Sequence, residues 1–329
     1  MDTSLGGAIL RADLKGVVEE AFLQSTLYIG AKAMPPLPVP NRDGQYPYIR
    51  KTTGNLLRNE AKVRGQGSNY ARIQRQWESD SYSCQEYGIE AIVDDSNREN
   101  LSRFFDLEAA ETRWAYRQVQ LAHELRVKTA LFDRIVFTCT TSATAYTAAY
   151  VVGNGVNGFD VGLDIDVCKQ ALQSRGENVV GLTAVMSLNV FNVIRASQKL
   201  QNRVRGTIST DSQLTLDKQA LADALQLKDI LVGAAAYDTS NQGAASVSMS
   251  NCWPDTYIWL GTVTAPSGPS DYFSGGVGYT LFWAQDSDIF QVESYRQEQI
   301  RSEVIRARQF TTEKVVLATA GQLLTTQYA

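Results

Sequence analysis

A reversal of charge early in the chain limits how it can fold. Residues 42–75 carry eight Lys/Arg (Arg42, Arg50, Lys51, Arg58, Lys62, Arg64, Arg72 and Arg75) against Asp43 and Glu60. Residues 78–111 carry ten acids (Glu78, Asp80, Glu86, Glu90, Asp94, Asp95, Glu99, Asp106, Glu108 and Glu111) against Arg98 and Arg103. The basic half is rich in Gly, Asn and Gln and poor in large apolar groups, so it cannot bury enough surface to form its own core. A basic arm projecting from an acidic base is expected. The arm of one copy laid on the base of the next satisfies both charges in a head-to-tail contact. The plainer reading is two solvated faces of one domain.

Composition narrows the class. The chain has 329 residues, 44% hydrophobic and 20% charged, ordinary for a globular protein. Its net charge of −4 does not suit a chain built to neutralise a nucleic acid backbone. No apolar run approaches the ~18–20 residues that span a bilayer. The start, Met1-Asp2-Thr3-Ser4-Leu5, has neither the basic nor the apolar segment of a secretion signal. Cys84, Cys139, Cys168 and Cys252 are too scattered for zinc or a disulfide framework, and are expected as buried free thiols.

Leu10 to Phe22 has a helix-like pattern. The octet Met34-Pro-Pro-Leu-Pro-Val-Pro-Asn41 holds four of the eight prolines and must be extended. Asp43-Gly44 signals a turn, and Tyr46-Pro-Tyr-Ile-Arg-Lys a strand entering a long projection. Gly65-Gln-Gly67-Ser-Asn marks flexible backbone near its far end. Residues 70–77 are expected to return as the partner strand, and Tyr82 to Val93 continues with a period near two. Helix begins at Asp94. Asp106 is a good N-cap, and Glu108 and Glu111 favour the helix dipole. No Pro or Gly interrupts Leu107 through Phe137, where Leu107, Trp114, Leu121, Leu125 and Leu131 recur at helical spacing. Such a helix is about 40 Å long, too long for the core of a compact domain, and is expected to cross a flat molecule as a spine.

Residues 140–163 read as a Thr-, Ala- and Gly-rich connector. An α/β pattern follows: helix Asp166–Ser174, strand Leu182–Met186, helix Leu188–Val204, helix Asp217–Leu227, strand Ile230–Ala236, and short strands Tyr257–Leu260 and Tyr279–Trp283. Val304 to Phe310 alternates as a strand, and Val315 to Ala320 is expected to close the sheet. No internal repeat is present.

Candidate chemistry is sparse. His123 is the single histidine, so any Ser-His-Asp or Cys-His pair would have to use it; a helix-surface or packed histidine is the expectation. Gly153-Asn-Gly155-Val-Asn-Gly158 has the letters of a dinucleotide loop, but Phe159-Asp-Val-Gly162 follows where a helix should open, so a hinge or hairpin is expected. Asp94-Asp95 and Asp164/Asp166 look like helix caps. Tyr46, Tyr48, Tyr70 and Trp77 interleave with the basic arm as in a single-strand platform, but the neighbouring acids would repel a phosphate backbone.

Several segments then resemble a known family. They are Tyr46-Pro-Tyr-Ile-Arg with Leu56-Leu-Arg-Asn-Glu-Ala, Ser83-Cys-Gln-Glu-Tyr-Gly-Ile-Glu-Ala-Ile-Val-Asp-Asp, Asp229-Ile-Leu-Val-Gly-Ala-Ala-Ala-Tyr-Asp-Thr, and Ser302-Glu-Val-Ile-Arg-Ala-Arg-Gln-Phe-Thr-Thr-Glu-Lys-Val-Val. In order and texture the chain resembles the major capsid proteins of tailed bacteriophages, whose fold also occurs in encapsulin shells. The resemblance implies an α+β fold with an N-terminal arm over residues 1–45 and an extended β-hairpin loop over 46–85 that lies on a neighbouring subunit. It implies a peripheral domain over 86–147 and 284–329, carrying a long spine helix, and an axial α/β domain over 148–283.

The implied protein is structural and not an enzyme, with no catalytic residue, cofactor or metal. Its partners would be copies of itself, in the hexamers and pentamers of an icosahedral shell, with separate scaffolding, portal and decoration proteins. Packaged double-stranded DNA would be held without sequence readout, and no membrane is involved. The place would be the virion, after assembly in the host cytoplasm. Arg58, Lys62, Arg64 and Arg72 would meet Glu86, Glu90, Asp94 and Glu99 of a neighbouring copy. Two other readings stand beside this one: an encapsulin-type compartment, and a nucleotide-binding α/β enzyme using the Gly153 loop. Some family members crosslink Lys to Asn. Lys51, Lys62 and many Asn are present, but no required acid aligns, so that chemistry is not carried over.

Overall fold

The computed structural model describes residues 9–10, 27–48, 59, 61–70, 72, 77–101, 106–142, 146, 159–205, 217–241, 243–269, 271, 275–284 and 289–326. The chain opens with β1 (Ile9–Leu10), a single helical turn α1 (Gly30–Ala33) and β2 (Pro36–Val39). The proline octet is thus extended, as its φ restriction requires. Strands β3 (Asp43–Tyr48) and β4 (Glu78–Ser83) pair antiparallel at the root of the basic arm. Asp43-Gly44, expected as a turn, belongs to β3. Next come β5 (Gln85–Asp94), α2 (Asp95–Leu101) and the 25-residue α3 (Leu107–Leu131), about 38 Å long. The expected continuous strand from Tyr82 to Val93 breaks at Cys84, which is buried and donates its amide to the Arg42 carbonyl at 2.9 Å.

The middle of the chain holds β6 (Cys139–Thr141), α4 (Val161–Ser174), β7 (Thr183–Ser187), α5 (Leu188–Ala196), α6 (Gln198–Arg205), α7 (Lys218–Ala224), β8 (Asp229–Gly233), β9 (Ala236–Asp238), β10 (Met249–Asn251) and β11 (Tyr257–Gly261). The last part holds β12 (Gly278–Trp283), β13 (Gln291–Gln297), β14 (Ser302–Val315) and β15 (Gly321–Thr325).

Strand β14 is the axis of the first sheet. One edge pairs with β5 from Ser302↔Asp94 to Thr311↔Gln85. The other edge is shared, by β13 up to Arg308 and by β12 from Thr311. β2 joins β12 in parallel and β1 joins β13 antiparallel. Alternation sorts the side chains of β14. Ile305 and Ala307 pack with Val93, Ala91, Tyr116, Ala115 and Val119 beneath α3, while Arg306, Arg308 and Phe310 lie on the opposite, open face.

The second sheet has the order β6-β15-β11-β7-β8. Its Ala184, Met186, Ile230, Ile258, Leu260 and Leu324 pack under α4, α5 and α7. Its other face places Val185, Leu231, Trp259 and Leu323 with Val127 and Leu131 of α3 and with Ile29 and Met34 of the N-terminal strap. That cluster joins the two sheets.

Four further expectations need correction. Leu107, Trp114, Leu121 and Leu125 do not form the buried stripe of α3. Its buried side is Ala109, Thr112, Ala115, Tyr116, Val119, Gln120, His123, Glu124, Val127 and Leu131, and Trp114 is 47% exposed. Ala109, Thr112 and Ala115 let the first half of the helix settle close on the sheet, and Tyr116, Gln120, His123, Glu124 and Leu131 fill the rest of the buried side. Helix α4 starts at Val161, because Asp160 and not Asp164 is its cap, accepting from the Leu163 amide; Asp164 is buried and accepts from Tyr146 Oη at 2.8 Å. The expected helix from Leu188 to Val204 breaks at Ser197, whose ψ of 119° is extended. Residues 316–320 do not close the first sheet: β14 ends at Val315, a short turn follows, and β15 crosses to the second sheet.

Candidate functional site

The far end of the basic arm is a tight turn. The Ser68 amide donates to the Gly65 carbonyl at 3.1 Å, and Gly67 has φ +84°, a conformation that favours glycine. Lys62, Val63, Arg64, Tyr70 and Arg72 are all exposed there. The Arg64 guanidinium lies over the Tyr70 ring, 4.7 Å from its centre. Arg58 lies outside the described residues. At the root, Tyr46 Oη donates to Asp80, Tyr48 Oη to Glu78, and Lys314 Nζ bonds Asp80 at 2.8 Å. Burial pushes Asp80 up, but its bonds from Lys314, the Ser81 amide and Tyr46 together hold it below the usual carboxylate range.

The acidic base is the open face of the first sheet. Glu86 and Glu90 stand on β5 two residues either side of Gly88, opposite Phe310 and Arg306. Arg306 bonds Glu90 at 2.7 Å and lies 3.8 Å from Glu293. Arg308 bonds Glu293 and lies 3.9 Å from Glu86. A ladder of alternating charge, Glu90–Arg306–Glu293–Arg308–Glu86, therefore crosses three strands. Asp94 instead caps α2, accepting from the Ser96 amide at 2.9 Å, and Glu99 is an exposed residue of α2. The structure thus brings Glu86 and Glu90 onto one face with their own arginines, and sets Asp94 and Glu99 at its end. Arg306 and Arg308 are the members that a search for acids alone misses, and Glu293 lies outside the acidic stretch 78–111. Their signal in the sequence is the Arg306-x-Arg308 alternation on a strand.

The opposite face carries His123, and its surroundings have the letters of a catalytic triad. His123 Nε2 lies 3.2 Å from Thr280 Oγ1 and 3.7 Å from Glu313 Oε1. Both partners use the same ring nitrogen, so no relay through the imidazole exists. Thr280 is fully buried and donates its hydroxyl proton to the Met34 carbonyl. Burial, helped by Arg126, pushes the His123 pKa down to about 3. Glu313 is held by Arg126, whose Nε stands 3.0 Å from its Oε2. This is a packed histidine in a structural network. Cys84, Cys168 and Cys252 are buried free thiols, and Cys139 is a half-buried one; burial pushes Cys84 up to about 11 and Cys168 and Cys252 up to about 12. Among the described residues no cluster of His, Cys, Asp and Glu is arranged to hold a metal ion, and no helix is long and apolar enough to cross a membrane. Gly153, Gly155 and Gly158 lie outside the described residues. The helix beyond them opens on the carboxylate of Asp160, an anion where a phosphate would need to sit.

No family model matches the sequence, and no curated protein does. Solved structures do match, over almost the whole chain. A phage-related protein from Bordetella bronchiseptica RB50 superposes with a TM-score of 0.69 at 19% identity, covering 98% of each chain. The capsid structure of cyanophage P-SCSP1u gives a TM-score of 0.55 at 8% identity, over 89% of this chain and 86% of the other. The fold is that of the tailed-phage major capsid proteins. A virus-like particle from Pyrococcus furiosus also matches, with a TM-score of 0.57 at 7% identity over 94% of this chain and 97% of the other.

Proposed function

We propose that this chain is a structural major capsid protein that assembles with copies of itself into an icosahedral shell around a double-stranded DNA phage genome. The observation that carries the reading is the fold, shared over 89% of the chain with a cyanophage capsid structure. Residues 1–45 would serve as N-terminal arm, 46–85 as extended loop, 86–147 with 284–329 as peripheral domain and 148–283 as axial domain. The strand β15 is then the piece of the C-terminal segment that pairs into the axial sheet. The net charge of −4 supports an inner wall that holds DNA loosely and without sequence readout. Scaffolding, portal and decoration proteins would be separate chains, and the mature protein would reside in the virion after assembly in the host cytoplasm.

Arg58, Lys62, Arg64 and Arg72 of one copy would lie on the charged face of the next, near Glu86, Glu90, Asp94 and Glu99. The exposed arm tip and the open sheet face support this. Because Glu90 already binds Arg306, an incoming guanidinium would join an existing ladder. Each exposed pair would contribute only about 0–1 kcal/mol, multiplied around a closed shell. Replacing the four basic residues with Glu is expected to leave the subunit folded by circular dichroism and to abolish shells in electron micrographs. Normal shells from that variant at physiological salt would defeat the contact.

The match to the Pyrococcus furiosus particle favours one second reading, a compartment shell with protein cargo. Purified particles separate the two: nuclease-protected DNA supports the genome shell, and co-purifying protein cargo without DNA supports the compartment.

A further inference from the structure

Glu124 stands where three parts of the chain cross. It lies on α3, is 1% exposed, and receives three donors. Its Oε1 accepts from the Ile29 amide at 2.9 Å and from Trp253 Nε1 at 2.7 Å, and its Oε2 accepts from the Gly30 amide at 2.6 Å. The two amides open α1, the start of the strap that continues into β2. Trp253 belongs to the other side. It is fully buried and lies against the end of β8, where a Cβ on Gly233 would stand 2.0 Å from its Cδ1. It also meets Phe132 edge-on, with ring centres 5.7 Å apart. One carboxylate oxygen therefore serves the strap and the second sheet at once. Gly30 is needed for this approach, since a Cβ there would stand 2.6 Å from Glu124 Oε2.

The groups around the carboxylate are few. Tyr28 and Cys252 face it, with Arg117 and Lys128 of α3 acting nearby. Burial raises the Glu124 pKa, while its three donors pull it back. A buried charge of this kind is tolerable while its donors stay in place, and loss of one leaves it poorly satisfied.

We propose that Glu124 is a latch that couples the hold on the N-terminal strap, residues 27–40, to the position of Trp253 and so of the second sheet. Carrying Trp253 away from α3 takes one donor from the carboxylate, loosens its grip on the Ile29 and Gly30 amides, and frees the first turn of the strap. Pulling the strap away loosens Trp253 in return, because coupling is reciprocal. Use of the latch during shell assembly rests on the function proposed above; the coupling itself is a property of the subunit and is tested there.

The test is hydrogen exchange, read by mass spectrometry, on the full-length chain carrying Trp253→Phe, which keeps a ring and removes the N–H. Residues 27–34 are expected to exchange about tenfold faster, in the range of ordinary coupling energies, while β14 keeps its protection. Glu124→Gln is expected to loosen the same segment. Gly30→Ala is expected to speed exchange of the Trp253 indole proton, followed by NMR. Unchanged exchange of residues 27–34 in Trp253→Phe overturns the latch. Equal loosening of β14 does so too, since the loss would then be of the whole fold. Neither readout involves shells, so failure here leaves the capsid reading standing, and the reverse holds.

Discussion

His123 shows how position decides the behaviour of a residue. On composition it is the single candidate base; in place it is a buried neutral imidazole held between α3 and β12. Its ordinary pKa of 6.5 is pushed down to about 3 by burial. Between those two pH values the unfolded chain binds a proton that the folded chain refuses. Its contribution is therefore fully present above pH 6.5 and is lost as pH falls, by about 1.4 kcal/mol per unit. Glu124 and Glu313 act in the opposite sense. Burial raises both above the ordinary carboxylate range, so their folded forms hold protons more tightly and cost stability as pH rises. Urea midpoints at pH 7 and pH 5 separate the contributions. His123→Asn is expected to lose less stability than the parent on going to pH 5, by about 2 kcal/mol. Equal losses in the two proteins would show that His123 does not refuse the proton.

Among the elements, α3 was legible in existence and length but not in orientation. The absence of Pro and Gly, together with the Asp106 cap, marks where it starts; the cap is seen in the bond from the Ala109 amide at 3.3 Å. Which side faces the sheet depends on what the sheet offers. β14 presents Ile305, Ala307, Gln309 and Thr311, and close contact there selects Ala115, Val119 and the polar partners of α3 over the larger Trp114. The energetic consequence is measurable. Trp114→Ala is expected to cost less than about 1 kcal/mol, as surface changes do. Ala115→Leu is expected to cost about 1–3 kcal/mol by overpacking. Chemical denaturation of the two variants gives the order, and a larger loss at Trp114 would contradict the packing. The ends of other helices were less legible: Asp164 and Asp166 look like caps in sequence, but contact with Tyr146 takes Asp164 into the core and Asp160 is the cap.

For the whole molecule, the charge reversal resolves into two kinds of surface. The basic arm presents exposed cations at its tip, whereas the acidic face is already interlaced with Arg306 and Arg308. Salt is the simplest probe of how much the remaining imbalance matters. Raising ionic strength from 0.15 M to 1 M shortens the Debye length from about 8 Å to about 3 Å. Assembly followed by light scattering is expected to slow and shift to higher protein concentration, with the subunit still folded. Assembly indifferent to salt would show that apolar contacts, not the arm's charges, hold the copies together.

The sequence by itself determined the extended proline strap, the long helix and the alternation of β14. Each of these follows from local chemistry: fixed φ at proline, caps and uninterrupted helix formers, and period-two burial. Only the tertiary structure decided that β15 crosses to the second sheet, that the face of α3 through Ala115, Val119 and His123 is the buried one, and that Glu86 and Glu90 meet arginines more than two hundred positions away. It also decided that Glu124 gathers donors from Ile29, Gly30 and Trp253. Those outcomes depend on which surfaces are brought into contact, and a buried charge or a strand edge finds its partner only once the chain has closed around it.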